Sequence, residues 1–202
     1  MTAGASGRGA SRAREQAAVP VEFSAAVRSL RGAVVRAEVE VADIRPPQRL
    51  APWSHAVSLD VLNAGIEVAS GRLVLLHDPA GYQAWDGTLR LVGYGNVDLD
   101  PEMARDPLLP EVGWSWLLEA LAEQGARFTA AGGTVTQTAS TRFGDIAGPR
   151  RACELELRAS WTPLEPDLSG HLRAWGDLLC TAAGLPPPGV SVLPARPDPG
   201  PQ

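Results

Sequence analysis

The sequence predicts an α+β fold: a largely antiparallel sheet of about six strands with three helices packed on one face, in the order α-β-β-β-β-α-β-β-α. Two observations carry this expectation. Three segments repeat apolar residues at helical spacing, and the segments between them alternate with a period of two. Successive strands are joined by short connections, which makes most pairs antiparallel hairpins.

In order along the chain, Pro20 opens a short helix in which Phe23, Val27 and Leu30 recur at i, i+4 and i+7, and Gly32 closes it. "VRAEVEV" then alternates, with Arg36, Glu38 and Glu40 on one side and Ala37, Val39 and Val41 on the other, so one face meets a core and one meets water. Pro46, Pro47 and Pro52 interrupt, since proline cannot serve a central strand. The second strand runs near His55 to Leu62, with His55, Val57, Leu59 and Val61 sharing a face, and Asn63-Ala64-Gly65 turns the chain. The unbroken apolar run in "RLVLLH" predicts a central strand covered on both faces. A fourth strand covers about Thr88 to Val97.

The second helix starts at Pro110, with Glu111 favoured at its positive end, carries the stripe Trp114, Leu117, Leu118, Leu121, and ends at Gly125. Strands near Phe128 to Thr138 and Ala152 to Trp161 follow. In the latter, Leu155, Leu157, Ala159 and Trp161 oppose Glu154, Glu156, Arg158 and Ser160. A third helix from about Leu168 aligns Leu168, Leu172, Trp175, Leu178 and Leu179 before Gly184 and Pro186 stop it. "GWSWLLEAL" and "AWGDLLCTA" hint at an internal duplication, matching Trp114 to Trp175.

The 202 residues suffice for one domain with a proper core, placed at 17–184 between a disordered tail at 1–16 and a Pro-rich extended tail at 185–202, where seven of eighteen residues are proline. All 18 cations are arginine, scattered rather than clustered, which reads as genome bias. Of the net charge of −5, Arg8, Arg12 and Arg14 against Glu15 give the first tail +2, and Arg196 against Asp198 leaves the last tail neutral, so the body carries −7. An acidic body disfavours nucleic acid, whose binding rests on phosphate neutralisation. Cys153 and Cys180 are too few for a disulfide scaffold and sit in apolar patterns as buried thiols. No apolar run approaches the roughly 18 residues a membrane span requires, and no apolar h-region follows the N-terminal arginines, so a cytoplasmic protein without a membrane role is expected.

"LLHDPAGYQAWDGTLR", residues 75–90, concentrates polar chemistry. Asp-Pro-Ala-Gly and Asp86-Gly87 are turn signals, so the stretch reads as strand, compact loop with Tyr82 and Trp85 packed back, then strand. The functional alternative makes His77 a general base or metal ligand helped by Asp78 or Asp86, with Arg90 as an anion clamp. His55 and His171 stand alone without metal-ligand spacing, so no metal and no cofactor is expected, and no nucleophile elbow occurs. "GYGN" (93–96) and "AAGGTV" (130–135) read as strand kinks or bulges rather than phosphate cradles. Trp114, Trp161 and Trp175 belong to the core. Trp116 with Trp53 and Trp85 forms either an exposed aromatic contact patch or, for Trp116, a second core flank.

"PQRLAPW", "GRLVLLHDPAG", "AWDGTLR", "DPEMARDPLLPEVGWSWL", "GGTV" and "RASWTPL…AWGDLLCTAAGLPP", in that order over about residues 20–188, resemble an actinobacterial family, domain of unknown function 3000. The resemblance implies a cytoplasmic single-domain protein of high-GC bacteria and assigns no residue a catalytic role. The order of elements alone is also similar to the small chaperones of secreted proteins, with four leading strands in place of three. Together these readings lead to a non-catalytic cytoplasmic protein-interaction or chaperone-like domain, engaging a protein partner or a second copy through a sheet face or the aromatics Trp53, Trp85 and Trp116. The alternative is a small-ligand binder or enzyme using His77, Asp78 and Asp86.

Overall fold

The computed structural model describes residues 18–100, 102–146 and 152–190. The expected N-terminal tail at 1–16 and the last part of the Pro-rich tail lie outside the described residues. Helix α1 (Val21–Gly32) leads into strands β1 (Val39–Ile44), β2 (Trp53–Asn63), β3 (Ile66–Tyr82) and β4 (Gly87–Asp98). Helix α2 (Leu109–Glu123), strands β5 (Phe128–Ser140) and β6 (Ala152–Pro163) and helix α3 (Ser169–Ala182) follow. This is the predicted order.

The strands form one six-stranded sheet in the order β1-β2-β3-β4-β6-β5, every neighbouring pair antiparallel. β1 to β4 form a meander. β6 returns beside β4, leaving β5 at the far edge. The β2–β3 hairpin turns through Ala64 (φ 51°) and Gly65 (φ 82°), both left-handed, the backbone that matches strand twist in a tight hairpin.

All three helices lie on one face. α3 packs over β2, β3 and β4 and is flanked by α1 and α2, while α2 extends over β5. Alternation makes this work. Val57, Leu73 and Ala159 stand in one cross-strand row and Leu91 and Trp161 in the next, all buried beneath the helices. The α3 stripe Leu172, Trp175, Leu178 and Leu179 meets them, each at most 1 % exposed. Burial of a stripe this size is the main favourable term holding the layers together.

Four local expectations change. β1 starts at Val39, not before it, and Val41 is 38 % exposed, because β1 is an edge strand; Val39 is buried and lies against Gly176 of α3. β3 is central, but among the described residues no second layer covers its other face. Ala56 and Leu76 are buried there beside the segment Arg45–Pro52, and Arg72 stays exposed. "GYGN" is no kink: Gly93 and Gly95 sit in unbroken register, opposite Leu73 and Gly71 on β3. A Cβ on Gly93 would stand 2.7 Å from the Trp175 ring, so these glycines, with Gly71, form the seat for an indole. "AAGGTV" does contain the expected bulge, between Thr129 and Gly132, with Ala130 at φ 50°. Finally, the start of the Pro-rich tail is held: Leu185 packs on the core, and Arg36 donates to the Pro186 carbonyl at 3.0 Å.

Candidate functional site

The 75–90 stretch bends as its turn residues require. Asp78 Oδ1 accepts from the Ala80 amide at 3.0 Å, Gly81 takes φ 72° and Asp86 takes φ 57°. Between them a single 3-10 turn, Gln83–Trp85, sets the Tyr82 and Trp85 rings 5.5 Å apart. Thr162 Oγ1 donates to the Trp85 carbonyl, fastening the loop to β6.

The polar residues of this stretch are not brought together. His77 points to the helix face and is 1 % exposed. Its Nδ1–H donates to the Thr88 carbonyl at 3.2 Å, and its ring stacks on Phe23 at 6.0 Å. Asp78, the next residue, faces the opposite side beside Leu76 and Tyr82. Asp86 is exposed and accepts from Thr129 at 3.4 Å. Arg90 also points away from the helices, and it holds the strands rather than an anion. It donates to the Ala130 carbonyl (2.8 Å), Thr162 Oγ1 (3.1 Å), and the Ser160 carbonyl (3.2 Å) and hydroxyl (2.7 Å). The charged group that does approach His77 is Glu22 of α1, 3.8 Å from Nδ1 and itself bonded to Thr88 Oγ1. Nothing in the spacing of the sequence announces that contact.

The tryptophans separate as well. Trp53 packs on Phe23 at 6.3 Å, Trp85 on Tyr82, and Trp116 lies half-buried against the core on α2, so the three stand on different elements and no ring pair joins them. The other histidines are structural. His171 accepts from Trp161 Nε1 at 3.0 Å, and burial drives its pKa down to about 4. Burial also lowers His55, against the opposing pull of Asp43 at 3.3 Å. Among the described residues no group of three or more His, Cys, Asp or Glu side chains is placed to hold a metal ion.

The sheet face away from the helices carries a more ordered pattern. Ala56, Val74 and Val92 form an apolar cross-strand row. The next row is Ser58, Arg72, Tyr94 and Arg158, and the one after holds Asp60, Ser70, Asn96 and Glu156. Ile44, Arg45 and Pro47 rise at the side to form a groove of about 550 Å³ over the first two rows. It continues towards Asp60, Glu67 and Ser70. Arg158 stands 5.5 Å over the Tyr94 ring and bonds Glu156 at 2.8 Å; that pairing holds the Glu156 carboxyl below the usual carboxylate range. Tyr94 donates to the same carboxylate at 3.0 Å, which pushes its phenol up. Arg45 and Arg72 differ: among the described residues neither has a carboxylate oxygen within 4.0 Å. Sequence reading placed Arg158 on a polar strand side, but assembling the row needs the register of three strands.

A family model described as "Protein of unknown function (DUF3000)" matches residues 19–191. No curated protein and no solved structure matches the chain.

Proposed function

We propose, for a chain that belongs to the DUF3000 family of proteins of unknown function, a non-catalytic protein-binding role in which the uncovered sheet face receives a polypeptide segment. The segment carries carboxylates beside apolar side chains. The observation that carries this reading is the apolar row Ala56, Val74, Val92 lying next to Arg45 and Arg72, two guanidiniums without a carboxylate partner among the described residues. Apolar burial supplies the affinity of such a contact, and bidentate guanidinium–carboxylate pairing supplies its orientation. Rows two residues apart along the strands are spaced by ~7 Å, which matches alternate side chains of an extended peptide laid on the face. A polyanion fits less well, because Asp60, Glu67 and Glu156 close the far end of the groove.

A cytoplasmic setting in an actinobacterial cell belongs to the same reading. It is supported by arginine as the sole cation and by two buried, unpaired thiols, of which burial pushes Cys180 up to about 11. No helix of the described residues is long and apolar enough to cross a membrane.

Selection from a displayed library of random peptides tests the proposal. Enriched sequences are expected to place Asp or Glu beside apolar residues, and Arg45→Glu with Arg72→Glu should weaken the selected peptides at least tenfold. Enrichment of basic sequences, or binding indifferent to both reversals, would overturn it.

A further inference from the structure

The two edges of the sheet are built differently. β1 has six residues, carries Glu40 and Asp43, ties Asp43 to Arg31 of α1, and runs on into Pro46 and Pro47. Short length, charge and nearby proline all keep a foreign strand from adding to an edge. β5 has none of these devices. It is 13 residues long, and from Phe128 to Thr141 the chain holds no charged residue and no proline. From Gly132 to Ser140 its ladder to β6 is unbroken, so the outer side offers a straight row of amides and carbonyls. Among the described residues no backbone bond beyond that ladder reaches β5, and its side chains there are exposed apart from Val135 and Gln137.

We propose that β5 is a self-pairing edge: two copies of the chain join β5 to β5, antiparallel, about a two-fold axis at Thr136, so that one sheet runs through both. Thr136 is the midpoint of the unbroken segment. The axis sets Thr134 opposite Thr138 of the second copy and Gly132 opposite its Ser140. The strand is therefore complementary to itself, with β-branched threonines facing one another across the seam.

Charge permits an identical partner at this edge. The body is acidic, yet β5 contributes nothing to that charge. The nearest carboxylate behind Thr136 is its β6 partner Glu156. Three strand spacings of ~4.8 Å separate it from its twin, ~14 Å against a screening length of ~8 Å. This pairing does not depend on the groove, and peptide capture is measured separately.

Sedimentation of the full chain over a dilution series tests it. The expected mass is twice 21.3 kDa. Thr136→Lys and Thr136→Glu, which set like charges face to face, should each run at the single-chain mass while keeping a cooperative melting transition. Mixing the two variants should restore the doubled mass. Thr136→Cys should form an oxidised covalent pair while Thr134→Cys, which faces position 138, should not. That readout decides the matter if a charged variant fails to fold. A wild-type chain at the single mass, a doubled mass that persists in Thr136→Lys, or equal cross-linking of both cysteine variants would overturn the proposal.

Discussion

The guanidinium of Arg90 donates to two carbonyls and two hydroxyls, joining β4 to β6 and reaching past β6 to the bulge of β5 at Ala130. Arg90→Met keeps the stem and removes the donors that Ala130, Ser160 and Thr162 accept. The expected loss is about 2–4 kcal/mol, read as a lower urea midpoint with the slope unchanged. His171 works through its lone pair instead. Held neutral to accept from Trp161, it has a folded pKa of about 4, against ~6.5 when unfolded. Between those values the unfolded chain binds more protons, so this contribution is complete above pH ~6.5 and declines as the pH falls towards 4, by up to roughly 3 kcal/mol. His171→Gln keeps an acceptor for the indole but does not titrate. Melting curves from pH 7 to 4.5 should fall less steeply for that variant; equal slopes would remove His171 as the cause.

Among the elements, α3 is the one whose seat is cut into the sheet. Trp175 and Leu179 rest where Gly71, Gly93 and Gly95 lack side chains, and Trp114 of α2 rests in the same way on Gly133. Gly93→Ala should destabilise by ~1–3 kcal/mol, because its methyl meets the indole at 2.7 Å. Combined with Trp175→Phe, whose smaller ring makes room, it should cost less than the sum of the two single changes in thermal denaturation. The helices and β6 were legible in the sequence because their periodic residues, such as Leu155, Leu157 and Trp161 of β6 and Leu172, Trp175 and Leu179 of α3, face the core on one side. β1 was misread at Val41, where the apolar alternation continues into an exposed position of an edge strand. The reason for Gly93 lies on a helix far along the chain, which no local pattern can reveal. The candidate loop failed as a constellation for a related reason. Consecutive strand residues point to opposite faces, so the adjacency of His77 and Asp78 in sequence means separation in space.

At the scale of the sheet the layers are unequal: among the described residues, one face lies under three helices and the other has only Arg45–Pro52 beside it. That asymmetry leaves Arg72, Tyr94 and Arg158 at the surface in one row and makes the face available to a partner. Because the proposed contact would set two arginines against carboxylates on a partly apolar floor, peptide affinity should weaken as salt rises without vanishing. Titrations across ionic strength check this, and complete insensitivity would count against the arginines. The helix layer also carries its own optical gauge. Trp161 of the sheet and Trp175 of α3 lie 5.9 Å apart at 37°, both fully shielded from water. Two indoles so close share their excitation, giving a near-ultraviolet dichroism that belongs to neither alone. Any event that lifts α3 off the strands, even with the sheet intact, would extinguish that band first.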